Sequence, residues 1–223
     1  MLQYGLFDII GPIMVGPSSS HTAGAARLGY LVGKMAPGAI EEVFFRLHGS
    51  FAETRSGHGT DKALLAGVMG IKPADERIKD AFSLAQKRGL KYSYQEADLG
   101  DVHPNSVEIT MRGAWGEMKV LGCSVGGGSI RIIKIDDNEV DFSGDYPTLI
   151  TIHDDRPGVL AAITDIIAKK GYNVASMKLF REARFDKAMI VLETDEVLPH
   201  DSVQEITALP FIHKAIFLEA VSL

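Results

Sequence analysis

Four hydroxyls and an imidazole occupy five consecutive positions, Ser18-Ser19-Ser20-His21-Thr22, inside the run Gly16-Pro17-Ser18-Ser19-Ser20-His21-Thr22-Ala23-Gly24. Apolar periodicity begins just after this run, so the cluster stands where a helix starts. The first backbone N–H groups of a helix are unpaired and the positive end of its dipole lies there, a setting that takes a carboxylate or a phosphate. The alternative is plain N-capping by one serine with the others solvated. A cap uses one hydroxyl, and this run carries more than a cap needs. A second group, Ser56-Gly57-His58-Gly59-Thr60-Asp61, sets His58 between glycines that let a ligand approach the backbone. His58 can give or take a proton near neutral pH, while Thr60 and Asp61 could simply cap the next helix. His48-Gly49-Ser50 falls at the end of an expected strand, where ligand clefts of α/β sheets lie, and is a weak signal alone. Val125-Gly126-Gly127-Gly128-Ser129 reads equally as an anion-binding nest or a bare turn, and it is not a P-loop. His103-Pro104-Asn105-Ser106 reads as a turn before a strand.

Other chemistries find no support. The seven histidines show no metal-site spacing and the chain has no CxxC, so no metal site is expected in it. Ser20 and His21 are sequence neighbours and no G-x-S-x-G elbow is present, which argues against a free-standing serine hydrolase. The single cysteine, Cys123, excludes an internal disulfide and a self-contained cysteine-ligated iron–sulfur cluster, and it reads as a small core residue in a strand. His200 and His213 read as surface or edge residues.

The elements that must position these groups form a mixed α/β (α+β) pattern. A helix is expected from Ser20 or His21 to Met35, with Leu28, Leu31, Val32 and Met35 on one face. Ala23, Gly24, Ala25 and Ala26 in its first turns are small enough to admit another backbone. Further helices are expected over 61–69 and 75–88, with strands over 41–48, around Tyr92, and over 107–111, 118–123 and 130–135. The acidic stretch Asp136 to Asp145 reads as a linker or a hairpin edge. After Tyr146-Pro147 the pattern turns regular and β-branched: strand 148–153, amphipathic helix 157–170 carrying Val159, Leu160, Ile163, Ile166 and Ile167, strands near 175–179 and 188–192, a helix near Asp201 and a strand over 211–218. Ala175, Met177 and Leu179 alternate as on one face of a strand. That order is βαββαβ, a four-stranded antiparallel sheet with two helices on one face. Two domains are expected, 1–145 and 147–223.

With 223 residues, 46% hydrophobic, the chain can build packed cores, and its net charge of -6 argues against nucleic acid as the main partner. No apolar run approaches a membrane span, and the N-terminal stretch lacks the basic region of a signal peptide, so a cytoplasmic protein without a membrane partner is expected.

The segments GPSSSHTAGAARLG, HGSFAETRSGHGTDKALLAG and SVGGGSIRI together resemble the beta chain of bacterial iron–sulfur-dependent L-serine dehydratases, over essentially the whole chain. IHDDRPGVLAAI and GYNVASM resemble an ACT domain, a ferredoxin-like amino-acid-sensing module that also closes D-3-phosphoglycerate dehydrogenases. The first domain is similar to the allosteric-substrate-binding domain of some of those enzymes. The resemblance implies conversion of L-serine to pyruvate and ammonia, with a [4Fe–4S] cluster on a separate alpha chain as Lewis acid. It implies that Ser18, Ser19, Ser20, His21, Thr22 and His58 enter the catalytic cleft, the hydroxyls and helix start holding the serine carboxylate. In the ACT domain it implies effector contacts from His153, Asp155, Pro157, Gly158, Val159, Leu160 and Asn173, for L-serine or another amino acid, and a homodimer through that domain. Asp154 or Asp155 could instead cap the helix. A free-standing amino-acid-binding regulator without catalytic role is the competing reading.

Overall fold

The structure is a computed structural model that describes residues 18–181 and 186–221. Gly16, Pro17 and the N-terminal stretch before them lie outside the described residues. The chain divides into two compact units that meet between Asp136 and Asp137, at the start of the acidic stretch.

The first unit opens with a π-helical turn, Ser19–Gly24, that runs into α1 (Ala25–Met35). Strand β1 (Glu42–Leu47) follows, then the short helix α2 (Ser50–Glu53) and α3 (Thr60–Val68). A 3₁₀ turn, Glu76–Asp80, leads into α4 (Ala81–Arg88), and β2 (Lys91–Glu96), β3 (Ser106–Gly113), β4 (Gly116–Gly126) and β5 (Ser129–Ile135) complete the unit. These strands run in the order β2-β1-β3-β4-β5; β1 and β2 are parallel and the other neighbours antiparallel. Val43, Phe45 and Leu47 alternate into the core from β1, and Leu28, Leu31, Val32 and Met35 of α1 are buried as their spacing requires. Helix α1 lies on the sheet at Gly122 of β4, where an added Cβ would fall 2.7 Å from Leu28 Cδ1.

Helices α1 and α3 meet along a glycine seam. A Cβ on Gly67 would fall 2.4 Å from the Ala26 carbonyl oxygen, and Cβ atoms on Gly29 and Gly33 would fall 2.3 and 2.6 Å from the Leu64 and Val68 carbonyls. Of the small residues at the start of α1, Ala26 meets α3 through its carbonyl, while the backbone of α3 comes closest further along, at Gly29 and Gly33. Two expected helices are each built in two parts: the first begins as a π turn, and the 75–88 helix begins as 3₁₀, with Asp75 accepting the Arg77 N–H at 2.9 Å. The glycine run of Gly126 to Gly128 turns the β4–β5 hairpin with φ of 107°, 59° and 80°, a path natural only to glycine. Buried Arg27 reaches the Gly128 carbonyl from α1 at 3.4 Å. Cys123 is buried in β4.

The second unit begins with β6 (Asn138–Phe142), so the acidic stretch contains a strand. The rest is β7 (Thr148–Asp154), α5 (Val159–Lys169), β8 (Val174–Arg181), β9 (Lys187–Thr194), α6 (His200–Thr207) and β10 (Ile212–Leu218). This is βαββαβ, with the antiparallel sheet β10-β7-β9-β8. Its core packs Val159, Ile163, Ile166 and Ile167 of α5 and Ile206 of α6 against Leu149, Ile190 and Leu192, each fully buried aliphatic side chain worth roughly 1.5–3 kcal/mol. Helix α5 starts after Gly158, later than Pro157, and no side chain caps it. Asp154 pairs instead with His213 at 2.7 Å, and Asp155 with Arg181 at 3.2 Å. Met177 and Leu179 do share a face of β8, and that face is exposed at the sheet edge. Among the described residues no helix is long and apolar enough to cross a membrane.

Candidate active site: the His21 cluster

Three segments of the first unit converge on His21. The π turn carries Ser18 to Thr22, the turn after β1 brings Ser50, and the approach to α3 brings His58. Ser18 is the N-cap residue, its Oγ accepting the His21 N–H at 3.2 Å. The capping expected of one serine is therefore real, and it leaves the other hydroxyls over. Ser20 Oγ lies 3.1 Å and Ser18 Oγ 3.3 Å from His21 Nδ1, and the two hydroxyls are 3.4 Å apart. On the other side of the ring, Ser50 Oγ lies 2.9 Å from Nε2. That partner is a hydroxyl, not the carboxylate of a hydrolase triad. Ser19, half-buried, starts the π turn, and buried Thr22 donates its hydroxyl to the His58 carbonyl at 3.0 Å, tying the π turn to the approach to α3.

The rings of His21 and His58 stand edge to face, 5.0 Å between centroids, and fully buried Phe51 meets His21 edge-on at 5.5 Å. Burial, and then the neighbouring His58, hold His21 below its ordinary pKa of 6.5, with a backbone group of Ser50 opposing. Near neutral pH the ring is therefore an uncharged proton acceptor. On the same segments and on β4 lie buried polar atoms without a hydrogen-bond partner among the described residues: His58 Nδ1, Thr60 Oγ1 and Ser124 Oγ. Buried polar groups are normally paired, so His58 Nδ1, on the ring that stands against His21, is a group a ligand could satisfy. Ser124 presses on the π turn, since a Cβ on Gly24 would fall 2.1 Å from its Oγ.

The run 18–22 and His58, expected from sequence, are thus brought together. Ser50, Phe51 and Ser124 join them without having been singled out for this site. Ser50 had only the weak strand-end signal, and Gly49, with φ 50° and Pro104 O at 2.8 Å from an added Cβ, is what places it. Thr60 and Asp61 do not cap α3: Gly59 holds the cap position, both side chains are buried, and Asp61 accepts the neighbouring Lys62 N–H at 2.7 Å. His48 serves the fold by accepting the Leu99 N–H at 3.2 Å.

In the second unit a cleft of about 410 Å³ opens where β7 passes into α5. His153, Asp155, Pro157, Gly158, Val159 and Leu160 line it, together with Arg156, Leu179 and Arg181, which sequence reasoning did not assign to it. His153 is buried, with Nε2 unpartnered among the described residues and Nδ1 2.9 Å from the Asp154 carbonyl. Asn173 is not among the residues that line the cleft in the single chain, and its amide donates to Asp195 at 2.6 Å.

Residues 5–89 match the family described as Serine dehydratase beta chain, and residues 149–214 match the AHAS small subunit-like ACT domain. The chain is 38% identical over 212 residues to a probable L-serine dehydratase beta chain of Bacillus subtilis, covering 95% of this chain and 96% of the relative. It is 39% identical over 200 residues to the L-serine dehydratase beta chain of Peptoniphilus asaccharolyticus, covering 89% and 90%. A D-3-phosphoglycerate dehydrogenase of Synechocystis is 28% identical over 86% of this chain and 35% of that enzyme.

Proposed function

The chain belongs to the family of L-serine dehydratase beta chains, and from that premise we propose that it acts as the beta subunit of an L-serine ammonia-lyase, lending side chains to a cleft completed by an alpha chain. The observation that carries this is the His21 cluster: three separate segments place hydroxyls and two imidazoles around one partly buried point. Ser18, Ser19, Ser20 and Thr22 at the helix start suit the substrate carboxylate, and His21 and His58 suit orientation of the substrate or movement of a proton. A free-standing regulator would explain the second unit and leave this cluster without a task.

The family implies a [4Fe–4S] cluster. This chain has one cysteine, and it is buried in a strand; the described residues hold no group of three or more His, Cys, Asp or Glu placed for a metal. Its residues do not fit a cluster, which we assign to the alpha chain. We further propose two domains, 1–145 and 147–223, the second an ACT domain; the compact units divide a few residues earlier, at 136/137, so that β6 lies between the two boundaries. The β7–α5 cleft of the ACT domain takes L-serine or another amino acid, and the domain pairs with a second copy through edge strand β8, where Met177 and Leu179 lie exposed. We assign the reaction to the cytoplasm.

The test is co-expression with a cluster-bearing alpha chain, anaerobic purification, and measurement of pyruvate from L-serine. Activity in the mixture and in neither chain alone is expected. His58→Ala is expected to lower turnover with assembly intact, and near-normal turnover would remove His58 from the site.

A further inference from the structure

Ser50 is 29 residues from His21 in sequence, yet its Oγ, 2.9 Å from Nε2, makes the shortest hydrogen bond to the imidazole. The opposite nitrogen faces a different environment. Ser18 Oγ already accepts the His21 amide, so its own proton is available to donate. Ser20 lies within reach of both Ser18 and Nδ1, at 3.4 and 3.1 Å. Ser18 Oγ is itself 3.3 Å from Nδ1, and with only the amide bond fixed in direction these contacts admit an arrangement in which the Ser18 and Ser20 hydroxyls donate toward Nδ1. Bonds linked in this way polarise one another. With Nδ1 accepting, the single proton of the neutral ring must sit on Nε2, where Ser50 stands as acceptor.

We infer that Ser50 is a positioning residue of this site: its Oγ accepts the Nε2–H of His21 and fixes the neutral ring with Nδ1 as the basic atom, facing the Ser18 and Ser20 hydroxyls. The inference deepens the reading of His21 as a group that meets substrate and rests on it. Which nitrogen of a histidine is basic is set by the hydrogen bond the other makes, so Ser50 decides which side of the ring can take a proton. Phe51, next in sequence, packs edge-on against the ring at 5.5 Å.

The test uses the full chain labelled with nitrogen-15 histidine, with the His21 signals identified by their loss in His21→Gln. Couplings from the ring carbon-bound protons to the two nitrogens distinguish the tautomers. The Nε2–H form is expected at neutral pH in the unaltered chain, a mixture in Ser50→Ala, and the Nε2–H form again in Ser50→Thr. The Nδ1–H form in the unaltered chain, or an unchanged spectrum in Ser50→Ala, overturns the inference, and the first of these does not depend on Ser50→Ala folding. With the alpha chain present, Ser50→Ala is expected to lower kcat roughly 10-fold or more with little change in KM, and Ser50→Thr to restore it. A changed tautomer with unchanged kcat would uphold the role of Ser50 toward His21 and overturn the placing of His21 in the reaction.

Discussion

Replacing Gly67 by alanine tests whether the helix seam holds the site together. The new Cβ would stand 2.4 Å from the Ala26 carbonyl oxygen, 2.5 Å from the Tyr30 nitrogen and 2.8 Å from the Gly29 carbonyl carbon. Carbon contacts settle near ~3.5–4.0 Å, so α1 and α3 must part by about 1 Å. Every obstructing atom is backbone, so no side-chain rotation relieves the clash. Alanine favours a helix over glycine by about 1 kcal/mol, while overpacking costs about 1–3 kcal/mol, more where nothing can yield. A net loss of about 2 kcal/mol is expected. His21 rides on the start of α1 and His58 on the approach to α3, joined by the 3.0 Å bond from Thr22 to the His58 carbonyl. A displacement of about 1 Å between them should cost on the order of 100-fold in turnover. Urea unfolding of the full chain should show a lower midpoint with an unchanged slope. Turnover with the alpha chain should be read at a temperature where both proteins stay folded. Equal or higher stability would mean that the helix-propensity gain meets no opposition, and the seam argument would fail. Lower stability with intact turnover would separate the seam from the site.

Gly24→Ala should destabilise by about 1–2 kcal/mol, because rotating Ser124 Oγ away still leaves its Cβ 2.9 Å from the new methyl; adding Ser124→Gly should restore most of the loss, and a double-mutant cycle without coupling would refute the contact. The depressed pKa of His21 has a signed consequence: the unfolded ring binds more protons than the folded one in the window just below 6.5, so the contribution of His21 to stability is full above that window and is lost as pH falls through it. Urea midpoints measured across weakly acid pH should show this slope and lose part of it in His21→Gln; an unchanged slope would contradict it. Calorimetric titration of the full chain with L-serine should give heat that Asp155→Asn reduces, with affinity weakened about tenfold or more, and no heat at millimolar ligand would count against the β7–α5 cleft as an effector site.

The βαββαβ part of the second unit was almost wholly legible in the sequence, because its elements pack on a single core. Ile163, Ile166 and Ile167 announce α5 by spacing alone, and the strands announce themselves by β-branched runs. The dense chemistry of Ser18 to Thr22 was legible for a different reason, since capping could not account for so many polar groups. What stayed hidden depends on pairings made in space. Ser50 reaches His21 across 29 residues, and Ser124 meets the π turn from β4. No local pattern records either contact. Helix starts were misjudged by a residue or two at Thr60 and Pro157, because Gly59 and Gly158 take the cap positions and leave the carboxylates of Asp61 and Asp155 for other partners. Nor does any local pattern record the bond from the Asn173 amide to Asp195.

The π turn at Ser19–Gly24 carries one residue more per turn than an α-helix would over the same path. Such a turn is equivalent to a single-residue insertion kept inside a helix. A chain shortened by one residue between Ser19 and Gly24 would regain unbroken α-helical bonding and rotate its hydroxyls away from His21. Loss of function would then accompany a gain in helix regularity, the opposite of what damage to a core brings. In family members that keep the chemistry, gaps and insertions should therefore avoid this hexapeptide even where the flanking helix varies freely. Chain length within the turn, as much as residue identity, would be the trait under selection.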